Sequence, residues 1–166
     1  MTPICHTSSS KRSSSSTLAI VFLVSLFGST ERVAATTYYV APPPTGNDSN
    51  SGTSISAPWA TLQFAAGEVG PGDVVRVRAG TFAGFELTTS GSSGSPITFS
   101  AYSGEKPMIA ADGPAAGVGI NLEAASHIVI EGFRVHRRSS YGIRAVVGSN
   151  VVLRNNRLTQ SGQSGI

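Results

Sequence analysis

The sequence predicts an all-β solenoid, a parallel β-helix of about 23 residues per coil with a short helix over its first turn. Three observations predict it. First, two stretches are one pattern written twice: Ser126-His-Ile-Val-Ile-Glu-Gly-Phe-Arg-Val lies over Ser149-Asn-Val-Val-Leu-Arg-Asn-Asn-Arg-Leu. Ile128 falls on Val151, Ile130 on Leu153, Arg134 on Arg157 and Val135 on Leu158. Second, the pairs Gly119-Ile120, Gly142-Ile143 and Gly165-Ile166 recur at steps of 23. Third, only 13% of residues are charged, while 40% are hydrophobic and 19 of 166 are glycine. That is the composition of a turn-rich β protein rather than a helical or disordered one. No coil of this kind can bury its apolar face alone, so coils must stack.

Residues 1–35 have the form of a secretory leader. Lys11 and Arg12 flank an apolar run, Leu18 to Phe27, and Val33-Ala34-Ala35 offers the small residues a signal peptidase takes. The run is shorter than the roughly 20 residues needed to span a bilayer. Removing this segment takes away Cys5, the only cysteine, so no disulfide is expected in the mature chain. It also leaves nine basic and eight acidic residues, so the formal charge of +3 gives no reason to invoke nucleic acid. Secretion, to the medium or a periplasm, is the expected location, with no membrane attachment after cleavage.

Residues 36–60 form an N-terminal strand and loop. Thr36-Thr-Tyr-Tyr-Val40 is β-prone, and Ala41 to Pro58 is rich in Pro, Gly, Asn, Asp and Ser. Asn47-Asp48-Ser49 fits a glycosylation sequon, but Asn and Asp bonded to their own turn explain it more simply. Residues 61–70 form the capping helix: Leu62, Ala65, Ala66 and Val69 make one apolar face, Thr61 caps it and Gly70-Pro71-Gly72 ends it. Trp59 belongs to this lid by hydrophobic packing, in preference to serving as a sugar-stacking platform.

Residues 71–166 are the coils. Val75, Val77 and Ala79 alternate with Arg76 and Arg78, the pattern of a half-buried strand. Phe82, Phe85 and Leu87 add core, and Ile97, Phe99 and Ala101 repeat the inward alternation. Ile97 is 31 residues before its equivalent Ile128, so an extra loop is expected around Ala111 to Gly117. Gly132 and Asn155 share one slot, and both residue types tolerate a left-handed bend between strands. Three short strands per coil then build three parallel sheets around an apolar interior.

The sequence resembles the N-terminal part of secreted right-handed parallel β-helix proteins of the pectate-lyase-like superfamily. The resemblance rests on Tyr38-Tyr39-Val40, on the run from Gly46 to Thr53, on Ala57-Pro-Trp-Ala-Thr-Leu-Gln63, and on the run from Pro71 to Phe82. Ser95-Pro-Ile-Thr-Phe-Ser-Ala-Tyr102 followed by Gly104-Glu-Lys-Pro107 looks like a second coil of the same kind. The appearance is closest to the family 9 polysaccharide lyases, and a related opening occurs in the chondroitinase B and alginate lyase group. The resemblance implies a right-handed coil and, in a full-length protein, β-elimination from a uronate-containing polysaccharide. That chemistry takes a proton from C5, commonly with Ca²⁺ neutralising the carboxylate and a Lys or Arg as base. In the family 9 enzymes those aspartates and that base lie on later coils, and no position here matches them. Asp48, Asp73 and Asp112 are the only mature aspartates and form no cluster. Lys106, the only mature lysine, sits in a turn where solvent is the expected partner.

The candidate binding residues are therefore basic and aromatic. Arg134, Arg137, Arg138, Arg144, Arg154 and Arg157, with His136, fall within 24 residues. The repeat stacks Arg157 on Arg134, and a guanidinium fork matches a uronate carboxylate. Arg137, Arg138 and Tyr141 complete the candidate set; an ordinary solvated outer face is the competing account. Glu131 and Arg154 share a register and should form a surface ion pair, and His136 is placed at a turn. Three readings follow: a lyase of acidic polysaccharide, a non-catalytic extracellular β-helix that binds glycans or surface partners, or a uronate epimerase. The full-length protein is expected to be a monomer. The chain stops at Ile166, where a coil opens, so a C-terminally truncated product prone to aggregate is expected.

Overall fold

The computed structural model describes residues 34–111, 113–137 and 141–160. Twelve strands and one helix follow in the order β1 (Thr37–Val40), α1 (Leu62–Glu68), β2 (Val74–Val77), β3 (Thr81–Ala83), β4 (Phe85–Leu87), β5 (Ile97–Ala101), β6 (Met108–Ala111), β7 (Val118–Glu123), β8 (Ile128–Glu131), β9 (Arg134–Arg137), β10 (Tyr141–Val146), β11 (Val151–Arg154) and β12 (Arg157–Gln160). They make three parallel sheets, ordered β1-β2-β5-β8-β11, β3-β6-β9-β12 and β4-β7-β10. The chain visits each sheet once per coil, so this is a parallel β-helix.

The register follows the repeat. Ile128 pairs with Val151 and Ile130 with Leu153 in the first sheet, and Arg134 pairs with Arg157 in the second. One rung down, Ile97 pairs with Ile128, and the extra residues lie between β6 and β7. In each parallel sheet equal side chains fall on one another, so the interior is made of columns. Val75, Phe99 and Ile130 make one column, Phe82, Ile109 and Val135 a second, and Phe85 and Ile120 a third, all buried. Phe85 also stacks on Phe99 across the interior at 4.8 Å between ring centroids. Burying a side chain of this size contributes about 1.5–3 kcal/mol, which is how short strands without disulfides hold together.

The bend between the first and second sheets is left-handed in both copies, with φ of 83° at Gly132 and 56° at Asn155. At the turn into the first sheet, Ser90, Ser126 and Ser149 form a ladder. Ser90 Oγ accepts from Ser126 N at 3.0 Å, and Ser126 Oγ accepts from Ser149 N at 3.1 Å. Each hydroxyl thus satisfies a backbone donor that turn geometry leaves without a strand partner.

The base of the solenoid is sealed. Thr61 Oγ1 accepts from Phe64 N at 3.1 Å and caps α1, whose Leu62, Ala65 and Ala66 are buried. The helix takes the place of a strand beside β4. The Gln63 side-chain amide accepts from Glu86 N at 2.8 Å and donates to Glu86 O at 3.4 Å, so it mimics a neighbouring backbone. Trp59 is only 4% exposed, stacked on Tyr38 at 4.4 Å and edge-on to Phe64 at 5.3 Å. Its indole N–H donates to Asn50 O at 2.9 Å. Hydrophobic packing is its role, and no face is left for a sugar. Asp48 ties the 41–58 loop to the helix start, accepting from Ala60 N, Thr61 N and Thr61 Oγ1 at 2.8–2.9 Å. Asn47 Oδ1 accepts from Ser49 N at 2.9 Å, the local turn bond expected of it.

Three local expectations need correction. Thr37–Val40 is the first rung of the first sheet rather than a strand ahead of the coils, because β1 pairs along its length with β2. Ala79 is exposed, since β2 ends at Val77 and the chain has already begun to turn. His136 lies within β9, not at a turn.

Candidate functional site

The six arginines that crowd one stretch of sequence do not share a surface. A window of 24 residues spans about one full coil, and a coil presents three outer faces. Arg154 lies on the first sheet, where its Nη2 donates to Glu131 Oε2 at 2.9 Å. Arg144 lies on the third, where Nη1 donates to Glu123 Oε2 at 3.2 Å and Asn121 Oδ1 at 3.4 Å. Arg134 and Arg157 remain together on the second sheet, both exposed and paired rung to rung. Arg137 closes β9 opposite Gln160, and Arg138 lies outside the described residues. Tyr141 opens β10 on the third sheet with 57% of its surface exposed.

The second-sheet pair is one arrangement chemically suited to an anion. The strand spacing of about 4.8 Å sets two like charges that repel by about 1 kcal/mol in water. An anion between them removes that repulsion, and each guanidinium has a planar fork to offer. Beside them His136 Nδ1 and Thr159 Oγ1 lie 3.1 Å apart, two polar groups on the same rungs. Below Arg134 the column continues with Met108, so the charge is confined to the upper two rungs.

The first sheet carries a different outer column: Tyr39, Arg76, Ser100, Glu131 and Arg154, one per rung. Beside it lies a solvent-open cleft of about 480 Å³, walled by the 102–106 turn and by Asn155. Glu131 is held below the usual glutamate range, first by the Arg154 hydrogen bond, with Asn155 adding another at 3.1 Å. The sequence showed the upper pair of this column, Glu131 and Arg154, but not its continuation to Ser100 and Arg76. The signal was present in Val75-Arg76-Val77, Phe99-Ser100-Ala101 and Ile130-Glu131, but the spacings of 24, 31 and 23 concealed the alignment.

Among the described residues the aspartates are already engaged by the fold. Asp48 is consumed by three bonds to the helix start, and buried Asp73 accepts from Thr36 N and Gly70 N, each at 2.8 Å. Asp112 lies outside the described residues. Among the described residues no three His, Cys, Asp or Glu side chains come together as a metal site would need. Among them, too, no helix is long and apolar enough to cross a membrane.

Three stacked parallel sheets with left-handed bends at a fixed slot define a parallel β-helix, and comparison with known proteins narrows the family. Residues 38–166 match the family described as Pel9A-like, right handed beta helix region, and the chain belongs to that family. The crystal structure of pectate lyase Pel9A superposes with a TM-score of 0.62 at 26% identity, over 73% of this chain and 32% of that one. A rhamnogalacturonan lyase aligns with a TM-score of 0.49 at 25% identity, over 61% of this chain and 29% of that one. Lacto-N-biosidase of Bifidobacterium longum subsp. longum is 38% identical over 78 residues, 41% of this chain and 5% of that protein. The β-helix region is thus similar to that of a pectate lyase and, over 78 residues, to a lacto-N-biosidase, and the chain spans a third or less of each of these relatives.

Proposed function

We propose that this chain forms the opening coils of a secreted carbohydrate-active protein that cleaves an acidic, uronate-containing polysaccharide by β-elimination. The supporting observation is the likeness to pectate lyase Pel9A, which extends over 73% of the chain with both fold and sequence in agreement. On this reading residues 1–35 are removed on export. Arg134 and Arg157 take up a uronate carboxylate, and Arg137, Arg138 and Tyr141 are further candidate contacts. Their part is to bind and orient the polymer. The proton at C5 would be removed elsewhere, by groups on further coils, where any Ca²⁺ would also be held.

The test is direct. The full-length protein is incubated with polygalacturonate and with alginate, with and without Ca²⁺, and absorbance of the unsaturated product is followed. A rise on one polymer is expected, and silence on every uronate polymer overturns the lyase reading. In that case a glycan-binding β-helix without catalysis is the better account.

A further inference from the structure

The first-sheet cleft is lined by two cations, Arg76 and Lys106, and two carboxylates, Glu105 and Glu131, and only the carboxylates find ion-pair partners, on Arg78 and Arg154 at its flanks. Glu105 Oε1 accepts from Arg78 Nε at 2.8 Å, while its other oxygen accepts from Ala79 N. Glu131 is bonded through both oxygens, to Arg154 and to Asn155. Both carboxylates are therefore neutralised and geometrically satisfied. Arg76 and Lys106 are not. Among the described residues, Arg76 has one side-chain bond, from Nη1 to Ser100 Oγ at 3.1 Å, and no ion pair involves Arg76 or Lys106. A guanidinium has five donors and an ammonium three, so most of the donors lining this hollow lack a protein acceptor. With both carboxylates paired to the flanking Arg78 and Arg154, the two lining cations leave the cleft with unbalanced positive charge and an unmet demand for acceptor oxygens.

The remaining lining is polar and suits a hydroxylated ligand. Ser100 is buried at the floor, and its hydroxyl, having accepted from Arg76, retains a proton to donate. Asn155 spends its amide N–H on Glu131 and keeps Oδ1 free to accept. Tyr102 is less suited to stack on a sugar, because Arg78 already lies 5.1 Å from its ring centroid and Tyr39 packs at 6.2 Å. Recognition here is by charge and hydrogen bonds.

We propose that this cleft is a second saccharide subsite, on a different sheet from Arg134 and Arg157, that takes a carboxylate-bearing sugar unit. Arg76 and Lys106 hold the carboxylate, while Ser100 and Asn155 contact ring hydroxyls. The ligand class rests on the acidic-polysaccharide reading above; the location and the residues do not. Because both anchors reach solvent, binding weakens as salt shortens the screening length.

The experiment is a calorimetric titration of the chain with a galacturonate oligomer and with the same oligomer reduced at its carboxyl groups. Wild type should bind the acidic form and not the reduced one. Arg76→Gln with Lys106→Gln should weaken the acidic form by roughly tenfold, the loss expected of two charge-assisted contacts. Arg134→Gln with Arg157→Gln should leave that component in place. Lys106→Gln alone, at a turn residue with no structural bond shown, guards against loss through misfolding and should weaken binding in part. Unchanged affinity in the double variant, equal binding of the reduced oligomer, or no binding by wild type overturns the subsite. The lyase reading is judged separately, by unsaturated product from the full-length protein. Cleavage with an unaltered titration of the cleft variant sinks the subsite alone. A cleft-dependent titration with no cleavage sinks the lyase alone.

Discussion

The coils from β2 to β10 and the rung formed by β11 and β12 are built from one repeat, yet they differ in what the repeat achieves. In the lower coils the inward columns end in fully buried residues such as Phe99, Ile130 and Val135. One rung higher, on the same columns, Leu153 is 46% and Leu158 is 55% exposed. Local sequence is almost the same, so the difference reflects which of the described rungs pack against each side chain. A rung is stabilised by what lies on both sides of it. At the base that second side is supplied by α1, Trp59 and the 41–58 loop.

The sharpest way to break this comparison is to truncate two residues of one column. Ile130→Ala should lose about 2–5 kcal/mol in urea denaturation, the range for emptying a buried aliphatic site. Leu153→Ala, one rung up, should lose less than half of that. Equal losses would show that the upper rung is packed as tightly as the lower ones. The seal at the base should cost less to damage. Asp48→Ala removes three hydrogen bonds between loop and helix start, and Gln63→Leu leaves the Glu86 backbone without its side-chain partner. Each should lose about 1–3 kcal/mol in the same assay. A neutral Gln63→Leu would show that the β4 edge does not need its surrogate strand.

The bend slot gives a finer contrast. Gly132→Ala puts a Cβ 2.9 Å from that of Ala101 on a backbone with φ of 83°. It should cost about 1–2 kcal/mol from the left-handed backbone, and more if Ala101 cannot move. Asn155→Gly, at φ 56°, should be near neutral apart from the lost bond to Glu131. The smallest effect is electrostatic. Glu131 is held below the ordinary glutamate range in the folded chain, mainly by the Arg154 hydrogen bond. Its contribution is therefore present above the unfolded pKa of about 4.3 and is lost as pH falls through the lowered folded value. For a pair this exposed the contribution should stay under about 1 kcal/mol. Arg154→Gln should flatten that acidic limb in melts recorded from pH 6 to pH 3, roughly the span of glutamate titration. An unchanged limb would mean that another carboxylate causes it.

Much of this architecture was legible in advance because the repeat states its own register. Gly132 and Asn155 stood in one slot, and both take the left-handed bend. Arg134 stood under Arg157, and they pair. Glu131 stood under Arg154, and they form the ion pair. The candidate site was less legible. Arg144 and Arg154 are neighbours of Arg134 in the chain but turn to other sheets, because each few residues the coil changes direction. Arg76, Ser100 and Glu131 share a column although no constant interval joins them.

The sequence by itself determined the stacking. Parallel in-register rungs place like residues on like, so a period of 23 with apolar residues at fixed slots has one low-energy arrangement. It also determined the cap, through the helical spacing of Leu62, Ala65, Ala66 and Val69 behind Thr61. Only the tertiary structure decided which polar side chains share an outer face and which charges are left without an internal partner. Turns of unequal length lie between equivalent rungs. Burial constrains the inward positions alone, so the outward columns are assembled by the path of those turns.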